Sequence, residues 1–419
     1  MTQKLYYEDL YRTEFDAAVL RQESGKEGVR IILDRTLFYP GGGGQPCDKG
    51  TLGGRNVLEV FEEGEEIFHL LDGPLPEGEV HGVVDWGRRF ELMQQHLGQH
   101  LLAAALFKGF ELRTSRMRIE GDDVSMDFDN THVEEETVRQ AEAESNEAVW
   151  RDIPVEILYP SFDEVKLHAR KLPPKTSEPI RIIKVGDIDY VPCCGLHVRR
   201  TGEVGIIKVT SLENHKGGTR VHLRCGRAAF RWLDVECREA RRVQLELTCG
   251  PDGMFQRVLH LKDEIRELTS RNSELLDQAA ASLAERLLRD AEHAGEYVLV
   301  SHVLGGAEQE GYEPLPGGEV KRLFHTLTQR GGVVALLAGV DAQGVSLLFG
   351  CHREDKGVDV RGAFKRAAEM TGVRGGGSPC CAQGHGPINE TSEQIHAQLQ
   401  AALDAAAEVM RQGLLSSGQ

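Results

Sequence analysis

The chain has 419 residues, 40% hydrophobic and 27% charged, with a formal net charge of −17. At roughly 150 residues per domain that length predicts two to four domains, and the composition excludes a disordered or fibrous chain. No apolar run approaches the ~20 residues of a membrane span, and the acidic balance excludes coating of nucleic acid by bulk charge, which needs local Lys and Arg.

Over residues 5–85, short apolar runs at 17–20, 29–33, 57–61 and 67–71 alternate with Gly, Pro and acidic clusters, the pattern of small antiparallel strands and hairpins. The period changes at Trp86. Phe90, Met93, Leu97, Leu101, Ala104 and Ala105 recur at three- and four-residue spacing, which predicts an amphipathic helix ending near Gly109. Strands are expected at 112–119 and 124–128, then an acidic helix over 133–149, entered through Thr131 as a cap three residues before Glu134 and stopped by Pro154. Further strands are expected at 180–185, 190–192 and 204–211, with a loop at 193–201. Gly217 and Gly218 precede a basic strand at 219–225 and a helix at 228–247.

Between residues 255 and 291 apolar positions fall about every 3.5 to 4 residues, which predicts one long helix. Asn272 occupies a seam position, where a polar residue sets pairing in a coiled coil; a dimer, an antiparallel helical hairpin and a spacer packed on its own chain all satisfy the pattern. Beyond Gly295, strands at 297–303, 332–338 and 345–351 alternate with helices at 318–330, 360–371 and 393–412, a separate α/β domain. The expected class is α+β: an N-terminal β-rich, barrel-like subdomain (1–87), an α+β core (88–248), a long helical coiled-coil segment (249–294) and a C-terminal α/β domain (295–419).

Nine cysteines, odd in number and partly adjacent (Cys193 with Cys194, Cys380 with Cys381), make a poor disulfide framework and point to reduced thiols or a metal site. His96 and His100 stand at i and i+4 on the helix that starts at Trp86, so both imidazoles reach one cation. Cys193 and His197 form a second pair in a Gly-containing loop. Together these borderline-soft N and S donors suit zinc over magnesium or calcium, with Cys194 as a competing thiolate. The plain alternative is buried histidines and inert core cysteines. A zinc peptidase of the His-Glu type carries Glu directly after its first His, and Leu97 stands there. Four protein ligands close a tetrahedral site, so catalysis requires one to be displaceable, His197 first.

Residues 36–48, TLFYPGGGGQPCD, hold four consecutive glycines that allow positive φ and close approach of a ligand to backbone N–H groups. No Lys-Ser/Thr follows, so this is no Walker loop; a hairpin turn is the other reading. RGGGSP at 374–379 has the same two readings. Residues 151–230 carry 14 Lys and Arg against 9 Asp and Glu, a locally basic stretch that either meets an anion or is simply solvated.

The segments LYYEDLYRTEF, TLFYPGGGGQPCD, RRFELMQQHLGQHLL, CCGLH and GGTR resemble the editing region of alanyl-tRNA synthetase and its free-standing relatives, the AlaX proteins, over residues 2 to about 230. The long helix and the RGGGSPCCAQG domain resemble the C-terminal part of the same synthetase, a module shared with DHH-type phosphoesterases, so the likeness as a whole is to the long AlaX type. It implies His96, His100, Cys193 and His197 as zinc ligands. It also implies trans-editing: hydrolysis of mischarged tRNA(Ala), Ser-tRNA(Ala) first and Gly-tRNA(Ala) second. Zinc would activate water or polarise the ester carbonyl, with His100 in the catalytic set and the proton acceptor left open.

By the same resemblance Thr36 reads the serine hydroxyl, with Gln45 its neighbour, since a hydrogen-bonding site discriminates by about 10⁴ to 10⁵ against an analogue lacking the group. Gly42, Gly43, Gly44 and Gly376 would approach substrate. Arg199, Arg200, Lys208, Lys216, Arg220 and Arg224 would hold the acceptor end while the terminal domain grips the rest of the tRNA. Two departures stand out: Cys194 and Leu196 replace the first Gly and the Thr of the usual Cys-Gly-Gly-Thr-His, and Cys380-Cys381 differ from the relatives' terminal domain. There is no DHH motif, so phosphoesterase activity is not expected. Nor is alanine activation, since the chain opens on the editing region. The N-terminus lacks a signal peptide's basic end and apolar core, so a cytoplasmic protein is expected, with a possible homodimer through residues 255–291 and the C-terminal domain. The competing readings are a non-catalytic, zinc-stabilised RNA-binding or assembly protein, and hydrolysis of another ester or of a D-aminoacyl-tRNA.

Overall fold

The protein is described by a computed structural model over residues 2–26, 28–172, 179–305, 318–341, 344–355, 357–387 and 392–416. Its contacts divide the chain into two compact units that meet in sequence between Pro251 and Asp252.

The first unit opens with β1 (Gln3–Lys4), β2 (Glu14–Ser24), β3 (Val29–Leu33), β4 (Arg35–Thr36), β5 (Gly50–Leu52), β6 (Arg55–Glu63), β7 (Glu66–Leu71) and β8 (Glu79–Val84). Six of them close a ring in the order β2-β3-β7-β6-β5-β8, every neighbour antiparallel. Closure removes the unpaired edge on which an open sheet would aggregate. Phe15, Ile31, Leu33, Val57, Val60, Ile67 and Leu71 are buried in this part of the core.

α1 (Trp86–Phe110) starts where Asp85 accepts the Arg88 N–H. The sequence predicts an amphipathic helix here, but burial runs unbroken from Leu92 to Leu106 and takes in Gln94, Gln95 and Gln99. A helix covered all round is a central helix. The chain continues through β9 (Arg116–Glu120), β10 (Asp123–Phe128), α2 (Glu135–Trp150), β11 (Val155–Leu158), α3 (Phe162–His168), β12 (Ile182–Val185), β13 (Asp189–Pro192), β14 (Ile207–His215), β15 (Gly218–Cys225) and α4 (Gly226–Leu247). They form a sheet of order β14-β15-β10-β9 and a second of order β11-β12-β13.

Several boundaries depart from expectation: the strand expected from 112 begins at Arg116, and two others have a visible cause. Thr131 does not cap α2: its backbone pairs with Thr219 and its hydroxyl turns to Asp129 O, while the helix begins one residue after Glu134 with no side-chain cap. Glu135 and Glu136 in the first turn complement the helix dipole instead. The strand expected from 204 begins at Ile207, because residues 201–204 wind into a 3₁₀ turn anchored by the Thr201 hydroxyl on Ala148 O.

The second unit comprises α5 (Met254–Arg289), β16 (Glu292–Ala294), β17 (Tyr297–Leu304), α6 (Gly318–Thr328), β18 (Val333–Asp341), β19 (Gly344–Cys351), α7 (Arg361–Thr371), β20 (Arg374–Ser378), β21 (Cys381–Gly386) and α8 (Ser392–Ser416). Its sheet runs β16-β17-β18-β19-β21-β20, with only β17 and β18 parallel. α7 and α8 contribute to one apolar cluster, and α6 with the end of α5 to another. The Gly-rich stretch is thus a hairpin's edge strand. Along α5 only the last turns are packed, through Ala280, Leu283, Ala284 and Leu287, whereas Asn272 is exposed.

Candidate metal centre and the cavity beside it

α1 presents His96 and His100 one turn apart, and the β12–β13 hairpin delivers Cys193 at its end, after which the chain turns to bring in His197. One ligand atom from each of the four lies within 4.8 Å of the others. Cys193 Sγ is 3.3 Å from His96 Nε2, and the Nε2 atoms of His100 and His197 are 3.4 Å apart. Gly195 makes the approach possible, since a Cβ there would fall 1.9 Å from His96 Cε1.

The outer ring nitrogens define the tautomers. Gln45 Oε1 accepts the Leu196 N–H at 2.9 Å, so it is an oxygen, and His96 Nδ1 at 2.7 Å must donate to it. His100 Nδ1 donates to Asp189 Oδ2 at 3.2 Å, and Arg170 clamps the same carboxylate through Nε at 2.9 Å and Nη2 at 3.2 Å. Nε2 is thereby the nitrogen that each ring turns toward the cluster. His197 lacks such support, its buried Nδ1 having no partner among the described residues.

Burial opposes a charge on Cys193, but the three imidazoles outweigh it and hold the thiol well below its usual range. Burial likewise opposes a charge on His100, and Cys193 with Asp189 overcomes it, raising His100 to about 9. His197 is pushed down to about 3 by burial and by His96. A thiolate and unprotonated imidazole nitrogens are the forms that bind a cation, so an ion entering the centre displaces the proton that His100 holds up to about pH 9. Three nitrogens and one sulfur, oriented by second partners and converging within 4.8 Å, fit a divalent borderline-soft ion. Asp127, Asp129 and His215 also come together, but Arg220 already holds Asp127 at 2.5 and 3.0 Å, which makes that group an ion-pair cluster.

A cavity of about 570 Å³ opens beside the centre, with His96, His100 and Cys193 in its wall together with Gly43, Arg116, Met117, Arg181 and Cys194; His197 lies outside the lining. A depression of about 640 Å³ on the barrel around Ser24 and Glu63 has no cluster of this kind among the described residues.

The other expected site residues divide. Gln45 lies at the centre as the partner of His96. Gly43 lines the cavity, Gly42 bridges to Gln45, and Gly44, at φ +88°, approaches so closely that a Cβ would sit 2.5 Å from Met117 O. Thr36 is fully buried outside the lining, its hydroxyl 2.8 Å from His69 Nε2 and accepting the Phe38 N–H at 3.0 Å. Arg199 pairs with Asp9, Arg200 with Asp152, Lys208 with Glu142 and Arg220 with Asp127. Lys216 occupies the β14–β15 turn at φ 47°, and Arg224 Nε is buried without a partner among the described residues. Gly376 lies on the exposed edge strand β20 of the second unit. Sequence reasoning missed Asp189, Arg170 and Arg181. The available signal was a charge set into an apolar strand, Asp189 before Tyr-Val-Pro and Arg181 before Ile-Ile, both now nearly buried.

Residues 180–222, from the start of β12 through the metal loop into β15, match the threonyl and alanyl tRNA synthetase second additional domain. Cys193 and His197 of the centre lie within that match, and His96 and His100 lie outside it. The chain is 35% identical to the alanyl-tRNA editing protein AlaX-L of Pyrococcus horikoshii over 72% of its own length and 78% of that relative's. It is 30% identical to the alanyl-tRNA editing protein Aarsd1 of Bos taurus over 72% and 71%. The chain belongs to the alanyl-tRNA editing protein family. An alanine–tRNA ligase from Halorubrum lacusprofundi is 32% identical across 98% of this chain, which spans 44% of the ligase.

Proposed function

We propose that this protein is an aminoacyl-tRNA deacylase that clears mischarged tRNA(Ala), Ser-tRNA(Ala) first and Gly-tRNA(Ala) second, with zinc held by His96, His100, Cys193 and His197. The observation that supports this is the convergence of those four side chains beside a cavity, in a chain whose relatives are named editing proteins. When bound, the ion supplies a Lewis acid for an ester carbonyl or for an attacking water. The chain's own residues do the positioning. Gln45 and Asp189 hold His96 and His100 with Nε2 inward, and Arg170 keeps Asp189 ionised. Arg181 Nη1 donates to the carbonyls of Cys193 and Gly195 at 2.7 and 2.9 Å, which keeps the thiolate loop in place.

For the choice of serine we propose Thr36, whose hydroxyl is held between His69 and the Phe38 amide. Thr36→Val is expected to slow Ser-tRNA hydrolysis or admit Ala-tRNA; unchanged rates on both remove Thr36 from the site. Exposed apolar positions on α5, including Ile265, Leu268 and Leu275, support a homodimer through that helix, and sedimentation mass tests it.

The decisive assay is deacylation of Ser-, Gly- and Ala-tRNA(Ala) with and without chelator and with His100→Ala. Four converging protein ligands also suit a closed structural zinc without catalysis. Chelation then unfolds the first unit, whereas a catalytic ion is removable with loss of activity and retention of fold.

A further inference from the structure

Four of the six cations singled out in the sequence for RNA are compensated. Arg199, Arg200, Lys208 and Arg220 stand 2.9, 2.6, 2.6 and 2.5 Å from Asp9, Asp152, Glu142 and Asp127. A phosphate reaching any of them must displace a carboxylate already in place. The cavity wall is different. It carries Arg116, Arg170, Lys171 and Arg181 and, among the described residues, no carboxylate. Arg170 is matched by Asp189, but Arg116 and Lys171 enter no ion pair among the described residues.

Arg181 adds a buried charge to the same wall. It is 7% exposed, its guanidinium lies over the Tyr7 ring at 5.0 Å, and its Nε and Nη2 have no hydrogen-bond partner among the described residues while Nη1 serves the metal loop. In a chain of net charge −17, a concave wall that carries four cations and, among the described residues, no carboxylate concentrates positive potential where an anion enters, while Arg116 on its other side borders a hollow with Glu120, Asp123 and Asp127. The volume, about 570 Å³, lies within the ~300–1,000 Å³ of small-ligand sites, which suits one nucleotide and excludes a helical stem. Met117, Ile180 and Val191 supply an apolar face for a base.

We propose that Arg116 and Lys171 hold the phosphodiester of the 3′-terminal nucleotide of the tRNA, with its base on that apolar face and its acylated ribose turned toward His96, His100 and Cys193. This rests on the deacylase reading and adds to it the residues that bring the ester to the centre. Two further cations beyond the ion-paired set thereby set substrate affinity.

The test measures uncharged tRNA(Ala) binding by fluorescence anisotropy across a salt series. It compares the wild type, Arg116→Ala/Lys171→Ala, and a control, Arg139→Ala/Arg238→Ala, that removes the same charge from exposed positions on α2 and α4. The cavity variant is expected to bind about tenfold more weakly and to flatten the log–log salt slope by roughly 0.7 for the one phosphate lost, with the control within about twofold of wild type. The KM for Ser-tRNA(Ala) rises in parallel and kcat is retained. No weakening in the cavity variant, equal weakening in the control, or a fall in kcat with KM unchanged overturns the assignment. Wild-type protein that binds through these cations but hydrolyses none of Ser-, Gly- or Ala-tRNA(Ala) refutes the deacylase and leaves the phosphate site standing. Hydrolysis with an unchanged KM in the variant does the reverse.

Discussion

Gln45 takes two donors on one oxygen, the ring of His96 and the amide of Leu196, so a single side chain couples the glycine loop, α1 and the metal loop. Removing such a partner of a ligating imidazole typically costs 10- to 100-fold in metal affinity. Gln45→Leu is therefore expected to weaken binding of a divalent ion at this centre by about that factor with the circular dichroism spectrum unchanged. Competition against a colorimetric chelator measures it, and an unaltered affinity would remove Gln45 from the centre's support. His69 is a second residue whose surroundings set its chemistry. Full burial, only partly offset by its bond to Ile31 O, lowers its pKa from 6.5 to about 4. The unfolded chain then takes up a proton below pH 6.5 that the folded one refuses until about pH 4, so stability is lost as pH falls through that window. The loss is on the order of 3 kcal/mol. His69→Gln keeps a polar partner for Thr36 and is expected to show a shallower decline in urea stability between pH 6.5 and 4.5; parallel declines would show that His69 does not carry it.

At the scale of elements, the glycine loop is held to the first turn of α1 by a buried ion pair. Arg89 and Asp48 are 0% and 1% exposed, and Arg89 also reaches the carbonyls of Leu37 and Arg12 while Asp48 accepts the Tyr39 amide. Breaking such a pair from one side strands the other charge, at roughly 3–5 kcal/mol. Arg89→Met and Asp48→Asn are each expected to lower unfolding stability by about that much, and the double variant by less than their sum. Additive losses in a double-mutant cycle would show that the two side chains act independently. Neither residue carries a periodicity signal, because a buried pair is defined by the residue across from it, 41 positions away. The strands and helices were legible where one face is dry: the runs at 29–33 and 67–71 became β3 and β7, and the period change at Trp86 marked α1. Thr131 misled because its spacing to Glu134 mimics a capping box, while the backbone of that residue is already committed to Thr219.

For the whole molecule, two compact units meeting in sequence at Pro251 and Asp252 predict two thermal transitions. All four candidate ligands belong to the first. An ion at 100 times its dissociation constant stabilises the fold that binds it by about 2.7 kcal/mol, so chelation is expected to lower one transition in scanning calorimetry and leave the other in place. Movement of both by the same amount would show that the units do not unfold independently. No helix among the described residues is long and apolar enough to cross a membrane.

The sequence by itself determined which residues have donor chemistry: two histidines a helical turn apart, a cysteine and a histidine in a glycine-bearing loop, and the glycines that let a backbone come close. Those properties are local, set by residue type and by helical geometry over a few positions. Only the tertiary structure decided that the two pairs meet, that Gln45 and Asp189 orient them, and that Arg116, Lys171 and Arg181 face the cavity without an ion pair among the described residues while Arg170 and Arg199 are held by carboxylates. Electrostatic compensation and ligand orientation depend on what stands within about 4 Å in space. Sequence spacing carries no record of partners 48 to 97 residues away.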